Sequence, residues 1–446
     1  MNYFSKQNGA IPLIVLISLA IVIILLVVLG IVILKPMKNT VAKNPITSEN
    51  NTTRQEAVNA DIEDVQDADD SIKSNFTYSF LKLENEDVKN KNIIYSPLSI
   101  KYALKLLVEG ADGNTKAEIE KIIENEGLTK YNNIDKKLSL ANAVFIRDTY
   151  KDRVLDSYVD TVKDKYNSEI KYDSFENAKN VNKWVEDKTF DIIKDFLKDN
   201  QVQNPNLEMI LINALAIDME WKTKFSTENT YSGIFDEDGE NLNVAFMHNS
   251  EVKTKGISYK LDEDVTVLAM DLEENDGVTL EFDAIMPNKV SLDEFISSSS
   301  KESINTYLSN LKESSDAKDG VNITIPKFDF DYSISLKKEL IELGMKEAFS
   351  LDADFSKITG DKSLCVGDAL HKADIEFSED GVRAAAVTAF MMLEKAMIME
   401  KTHPVEVTID KPFMFVIRDK NTGEVWFTGS VYKPVLWDDV KEEYGR

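Results

Sequence analysis

Residues Glu379 to Pro404 read EDGVRAAAVTAFMMLEKAMIMEKTHP. An acidic turn, Glu379–Asp380–Gly381, opens the stretch. Small residues follow, then Phe390, a run of Met and Leu, Lys395, more Met, and finally Pro404. The flanking segments, KADIEF (372–377) and VEVTID (405–410), have the alternation of strands. Connections in compact domains usually run about 4–6 residues, so a hydrophobic insert of this size between two strands calls for a purpose of its own.

The remainder of the chain reads as a scaffold for that insert. With 446 residues, 43% of them hydrophobic, it can bury a large core as one big domain or two average ones. A formal net charge of −26 argues against phosphate-backbone binding, so no nucleic-acid partner is expected. The single cysteine, Cys365, excludes an internal disulfide framework and a thiolate zinc site, and reads as a small buried hydrophobe. Ala10 to Leu34 are uncharged and almost wholly aliphatic, long enough for about 30 Å of hydrocarbon. Lys6 precedes that run, Lys35, Lys38 and Lys43 follow it, and no small-residue cleavage site is evident. Residues 1–35 are therefore expected to be an uncleaved transmembrane anchor, with secretion after cleavage as the alternative. Residues 36–70 are polar and acidic without apolar period, the composition of a tether. A folded domain is expected over 71–446. The lysines after the helix would keep that domain in the cytoplasm, but long domains translocate largely regardless of such charges. Asn-x-Thr triplets at Asn50, Asn51, Asn75 and Asn322 are compatible with an extracellular placement.

Phe76, Phe80 and Leu83 repeat at helical spacing. Ser96 reads as the N-cap of a helix with Pro97 in its first turn, Ile100, Ala103, Leu104 and Leu107 on one face, and Gly110 at its end. Thr115 and Glu118 have capping-box spacing ahead of Ile119, Ile122 and Ile123. LSLANAVFI (138–146) is strand-like, Asn182 to Ile193 helical, and MILINALAI (209–217) has the continuous apolar run of a strand buried on both faces. Further strands are expected at 265–272, 278–286 and 321–326, and a helix carrying Leu336, Leu340 and Leu343 ends at Gly344. KPFMFVIRD and EVWFTGSV flank a turn at Lys420–Gly423, a hairpin. The class is α+β with large, mainly antiparallel sheets.

No enzyme signature emerges. His248, His371 and His403 are far apart and lack metal-ligand spacing, so no metal and no cofactor is expected. No phosphate loop, dinucleotide fingerprint or G-x-S-x-G elbow occurs, and the G-x-x-G at Gly110–Gly113 is too weak to use.

Nine segments, in order, resemble the serpins. They are NIIYSPLSI (92–100), GADGNT (110–115), LSLANAVFI, VNKWVEDKT (181–189), ILINALAIDMEWK (210–222), TIPKFDFDYSI (324–334), LGMKEAFSLDADFSKIT (343–359), HKADIEFSEDGVRAAA (371–386) and KPFMFVIRDKNTGEVWFTGSVYKP (411–434). The resemblance implies a serpin fold of three β-sheets and eight or nine helices. It makes the opening stretch, about 379–404, an exposed reactive loop. It further implies a monomeric protease inhibitor, not an enzyme: a serine protease attacks the loop as substrate, and the cut loop enters the main sheet as a new strand. The alternative within the family is a non-inhibitory carrier, chaperone or structural surface protein.

By resemblance the hinge comprises Glu379, Gly381, Val382, Ala384, Ala385, Ala386 and Thr388. An inserting strand buries alternate side chains. One face of this loop is Val382, Ala384, Ala386, Thr388, Phe390 and Met392, small or apolar throughout, while Arg383 falls on the other. About 14 residues at roughly 3.3 Å each give about 45 Å of travel. By propensity alone, 384–401 is equally a helix before cleavage. The family's spacing from Glu379 assigns the scissile bond to Lys395–Ala396, a basic site that implies a trypsin-like target. Lys401–Thr402 is the alternative, and the flanking Met residues also suit chymotrypsin- or subtilisin-like enzymes. Val382 stands where the family usually has Thr or Ser, and Arg383 where it is often acidic. Ser96, Ser99, Asn213 and His371 match the polar cluster where the sheet opens. Trp221 and Lys327 match the loop-entry region, with Lys327 the expected partner of Glu379.

Overall fold

A computed structural model describes residues 65–68, 72, 76–123, 127–203, 207–382 and 403–445. The expected anchor at 1–35, most of the expected tether at 36–70, and Arg383 to Thr402 lie outside these residues. Among the described residues no helix is long and apolar enough to cross a membrane.

The chain opens with helix α1 (Phe76–Asp87), strand β1 (Ile93–Tyr95), α2 (Pro97–Gly110), α3 (Gly113–Ile122) and β2 (Leu138–Arg147). It continues through α4 (Asp156–Tyr166), β3 (Ser168–Asp173), α5 (Lys179–Lys188), α6 (Asp199–Val202), β4 (Met209–Ile217) and β5 (Met219–Glu220). Strands β6 (Thr230–Glu237), β7 (Glu240–Val252), β8 (Ile257–Leu261), β9 (Val265–Asp271) and β10 (Leu280–Pro287) follow. Next come α7 (Leu292–Ser298), α8 (Lys301–Tyr307), β11 (Lys312–Glu313), β12 (Val321–Pro326), β13 (Phe328–Ser335), α9 (Lys337–Glu342) and α10 (Ser356–Thr359). The last elements are β14 (Leu370–Phe377), β15 (Gly381–Val382), β16 (Val405–Thr408), β17 (Phe413–Asp419), β18 (Val425–Val431) and α11 (Trp437–Val440). The α+β class is as read from the sequence. The helical segments outnumber the expected eight or nine because several, such as α6, α10 and α11, are single turns.

The strands form four sheets among the described residues, ordered β1-β18-β17-β10-β9-β8-β11, β16-β12-β7-β6, β13-β14-β15-β5 and β3-β2-β4. Three were expected. The extra one arises because β4 runs through Asp218 straight into β5, while β14 pairs with β15 and not with β4. The two ladders therefore meet at β5 and separate below it. β15 and β16, which bracket the loop, belong to different sheets.

Helix α2 lies beneath this junction. The Ser99 amide donates to Ser96 Oγ at 3.1 Å, and Pro97 occupies the first turn, as the sequence implied. Burial extends beyond the single face expected: Leu98, Leu106 and Tyr102 are also sequestered, so the helix is a core element. Gly110 ends it where a Cβ would come within 2.6 Å of Ile358 Cγ1.

The capping-box reading of Thr115 and Glu118 fails. Helix α3 starts two residues earlier, and both side chains bind distant backbone. Thr115 Oγ1 accepts from the Asp354 amide at 2.9 Å, and Glu118 Oε2 accepts from the Lys346 and Glu347 amides at 2.9 and 2.7 Å. The helix expected over 182–193 runs from 179 to 188, and Thr189 Oγ1 then donates back to the Val185 carbonyl at 2.8 Å. Cys365 is half-buried, not fully enclosed.

Candidate functional site: the hinge and the split sheet

Phe377, at the end of β14, stacks on Phe328 with ring centroids 4.6 Å apart and contacts Trp221 at 5.0 Å. This cluster fixes the point where the chain leaves β14. Ser378, Glu379 and Asp380 then turn it back. The Ser378 amide donates to the Gly381 carbonyl at 3.1 Å, while the Phe225 and Trp221 amides donate to the Glu379 and Asp380 carbonyls at 3.0 and 2.8 Å. Trp221, almost wholly buried, also donates its indole N–H to the Ser378 carbonyl at 2.8 Å.

The chain returns between two strands. Val382 pairs with Phe377 of β14 and with Met219 of β5, and Gly381 pairs with Glu220. Val382 is only 2% exposed and joins the core. At Gly381 a Cβ would lie 2.2 Å from the Met219 carbonyl oxygen, so no larger residue fits without moving backbone.

Glu379 is buried and fully engaged. Its Oε2 receives Lys327 Nζ at 2.9 Å, and its Oε1 accepts from Thr230 Oγ1 at 2.6 Å and Tyr444 Oη at 2.7 Å. Burial pushes the Glu379 carboxyl up, but the Lys327 ammonium and the hydroxyls of Thr230 and Tyr444 outweigh it and hold the group below the usual carboxylate range. Burial pulls the Lys327 ammonium down, and the Glu379 charge overrides that to raise it. Burial likewise pushes the Tyr444 phenol up to about 12, so it remains a donor at neutral pH.

Below the hinge, where β4 and β14 part, lies a cleft lined by Ser99, Leu107, Leu211, Asn213, Leu370 and His371. His371 Nε2 accepts from the Ser96 amide at 3.1 Å, and burial lowers the imidazole to about 4, so the ring is neutral. Ser96, Ser99 and His371 thus form one connected group. Asn213 sits on the opposite wall and donates to Asn142 Oδ1, while its own buried Oδ1 has no hydrogen-bond partner among the described residues. A strand edge bordering an open cleft leaves such an acceptor unmatched.

A family model described as serpin (serine protease inhibitor) matches residues 71–434. The chain belongs to the serpin family. An uncharacterized serpin-like protein of Thermococcus kodakarensis is 30% identical over 365 residues, covering 77% of this chain and 81% of its own length. Human Serpin B4 is 28% identical over 383 residues, covering 78% of this serpin and 94% of the relative. Among solved structures, the thermophilic serpin tengpin in its native state superimposes with a TM-score of 0.67 at 26% identity, over 83% of this serpin and 98% of tengpin.

Glu379, Gly381, Val382, Trp221 and Lys327 come together at the hinge. Ala384, Ala385, Ala386, Thr388, Lys395, Ala396, Lys401 and Thr402 lie outside the described residues. Two partners escaped sequence reasoning: Thr230, 149 residues from Glu379, and Tyr444, 65 residues away. Neither stands in a motif that would single it out. Glu84, Asp87 and Glu339 form a carboxylate grouping on α1 and α9, with Asp87 paired to Lys338 and Glu84 hydrogen-bonded by Tyr332, and no element of the hinge takes part.

Proposed function

We propose that this serpin inhibits a trypsin-like serine protease as a suicide substrate. The protease serine oxygen attacks the Lys395 carbonyl carbon, and the Lys395–Ala396 bond breaks. The Ala396 nitrogen takes the proton and departs as a new N-terminus, leaving an ester between enzyme and Lys395. Insertion of the freed strand from Val382 onward carries the esterified protease along the sheet before water can resolve the ester. The observation that carries this reading is the seating of Gly381 and Val382 between β14 and β5, at the head of an open cleft. Insertion has a start point and a path that needs no new separation of strands at its head. Small side chains at Ala384 and Ala386 favour the continuation.

The test is to mix the purified chain with trypsin, separate the products on a denaturing gel and sequence the released peptide. A covalent complex and a peptide beginning at Ala396 are expected. Cleavage without a complex overturns the inhibitory reading in favour of a non-inhibitory carrier or surface protein. We also propose that Ala10 to Leu34 tether the serpin domain at the outer face of a membrane. Carbonate-resistant sedimentation, with a domain digestible on intact cells, checks this; release of the chain by carbonate refutes it.

A further inference from the structure

We infer that residues 435–445, which lie beyond the 71–434 stretch matched by the family model, form a clasp that holds the hinge carboxylate Glu379 at the point where insertion begins. Its functional consequence rests on the inhibitory reading above.

The clasp is fastened at both ends. At its start the Val435 amide donates to the Lys327 carbonyl at 2.9 Å, and the Ala245 amide donates to the Val435 carbonyl at 3.0 Å. Leu436 bridges Val244 of β7. A single turn, α11, reverses the chain, and Tyr444 stacks back on Trp437 with centroids 5.7 Å apart and planes at 16°. That stacking presents the phenol to the hinge, with Tyr444 Oη 2.7 Å from Glu379 Oε1 and 2.5 Å from Lys327 Nζ. The Lys327 ammonium also lies over the Tyr444 ring, 5.2 Å from its centroid. One backbone bond and one side chain of the tail therefore address Lys327, and the same side chain addresses its anionic partner.

The chemistry of the contact sets its effect. A buried carboxylate stays ionised only while enough donors meet it, and Tyr444 is one of three residues that do so. Glu379 sits in the turn that feeds β15 into the sheet. Weakening its hold lets Gly381 and Val382 withdraw, and a withdrawn hinge inserts later after cleavage. The acyl-enzyme then has longer to hydrolyse. Tyr444 is accordingly a positioning residue, acting through Glu379.

Tyr444→Phe keeps the ring on Trp437 and beneath Lys327 and removes only the hydroxyl. The first readout is hydrogen exchange of the Trp221 and Phe225 amides, which donate to the hinge turn. The second is the stoichiometry of trypsin inhibition, alongside the association rate. The control is Lys441→Ala, a tail residue paired with Asp438. We expect roughly tenfold faster exchange in Tyr444→Phe, several-fold more serpin consumed per trypsin trapped, an unchanged association rate, and no change on either count in Lys441→Ala. Exchange at the wild-type rate in Tyr444→Phe overturns the clasp. Faster exchange with unaltered stoichiometry overturns its contribution to trapping. Should the wild-type chain form no complex, the inhibitory reading falls, while the exchange measurement still decides whether the clasp exists.

Discussion

Lys327 Nζ lies 2.9 Å from Glu379 Oε2, with side-chain exposures of 14% and 7%. The pair joins the start of β13 to the turn after β14, so it spans the top of the split sheet. Breaking a buried pair from one side is far costlier than replacing both partners, because the remaining charge is left uncompensated. Lys327→Ala is expected to destabilise the fold by about 3 kcal/mol, measured as a fall in the urea midpoint. A loss under about 0.5 kcal/mol would mean that Thr230 and Tyr444 suffice to hold the carboxylate.

Gly381→Ala tests the close approach of β15 to β5. With the Met219 carbonyl oxygen 2.2 Å from the Cβ position, the added methyl must push the two backbones apart. We expect a cost of about 1–3 kcal/mol, and loss of exchange protection in the Gly381–Val382 pairing with β5 that leaves the β13–β14 ladder intact. Unchanged protection across β15 would contradict the pairing.

Ala384→Arg places a long cation on the face that follows Val382 into the sheet. An isolated buried cation is costly, so insertion should stall while cleavage proceeds. On a gel with trypsin, the covalent band should vanish and the cleaved band remain. A complex that persists in this variant rules out insertion along that face.

Acid should loosen the junction, and His371 sets part of the window. Burial lowers its imidazole to about 4 against an unfolded value near 6.5. Between those values the unfolded chain binds the extra proton, so stability rises with pH across this range: fully present above about pH 6.5 and lost as pH falls toward 4. His248, also lowered to about 4 by burial, acts in the same sense, and the depressed Glu379 carboxyl extends the loss to lower pH. His371→Gln should flatten the pH dependence of the melting temperature between pH 4 and 6.5 without abolishing it. An identical slope in the variant would assign the effect elsewhere.

Local chemistry was legible along the chain wherever neighbours in sequence are neighbours in space. Ser96 caps α2 because the amide that its hydroxyl meets is three residues on. Met209 to Ile217 reads as a doubly buried strand because its apolar run is unbroken. The motif order carried the family, and with it Lys327 as the partner of Glu379. Thr115 and Glu118 mislead for the converse reason: their spacing is that of a cap, yet their partners lie more than 200 residues away.

At the stretch from Glu379 onward, the sequence by itself carried a small, apolar face at strand spacing, reached through a glycine, beside an equal propensity for helix over 384–401. Only the tertiary structure decided that Gly381 and Val382 already lie between β14 and β5, and that Tyr444 closes over Glu379. Burial of alternate side chains is a period that a sequence can carry. A hydrogen bond to a carboxylate 65 residues distant has no period, and exists only once β13, β14 and the C-terminal turn have been packed side by side.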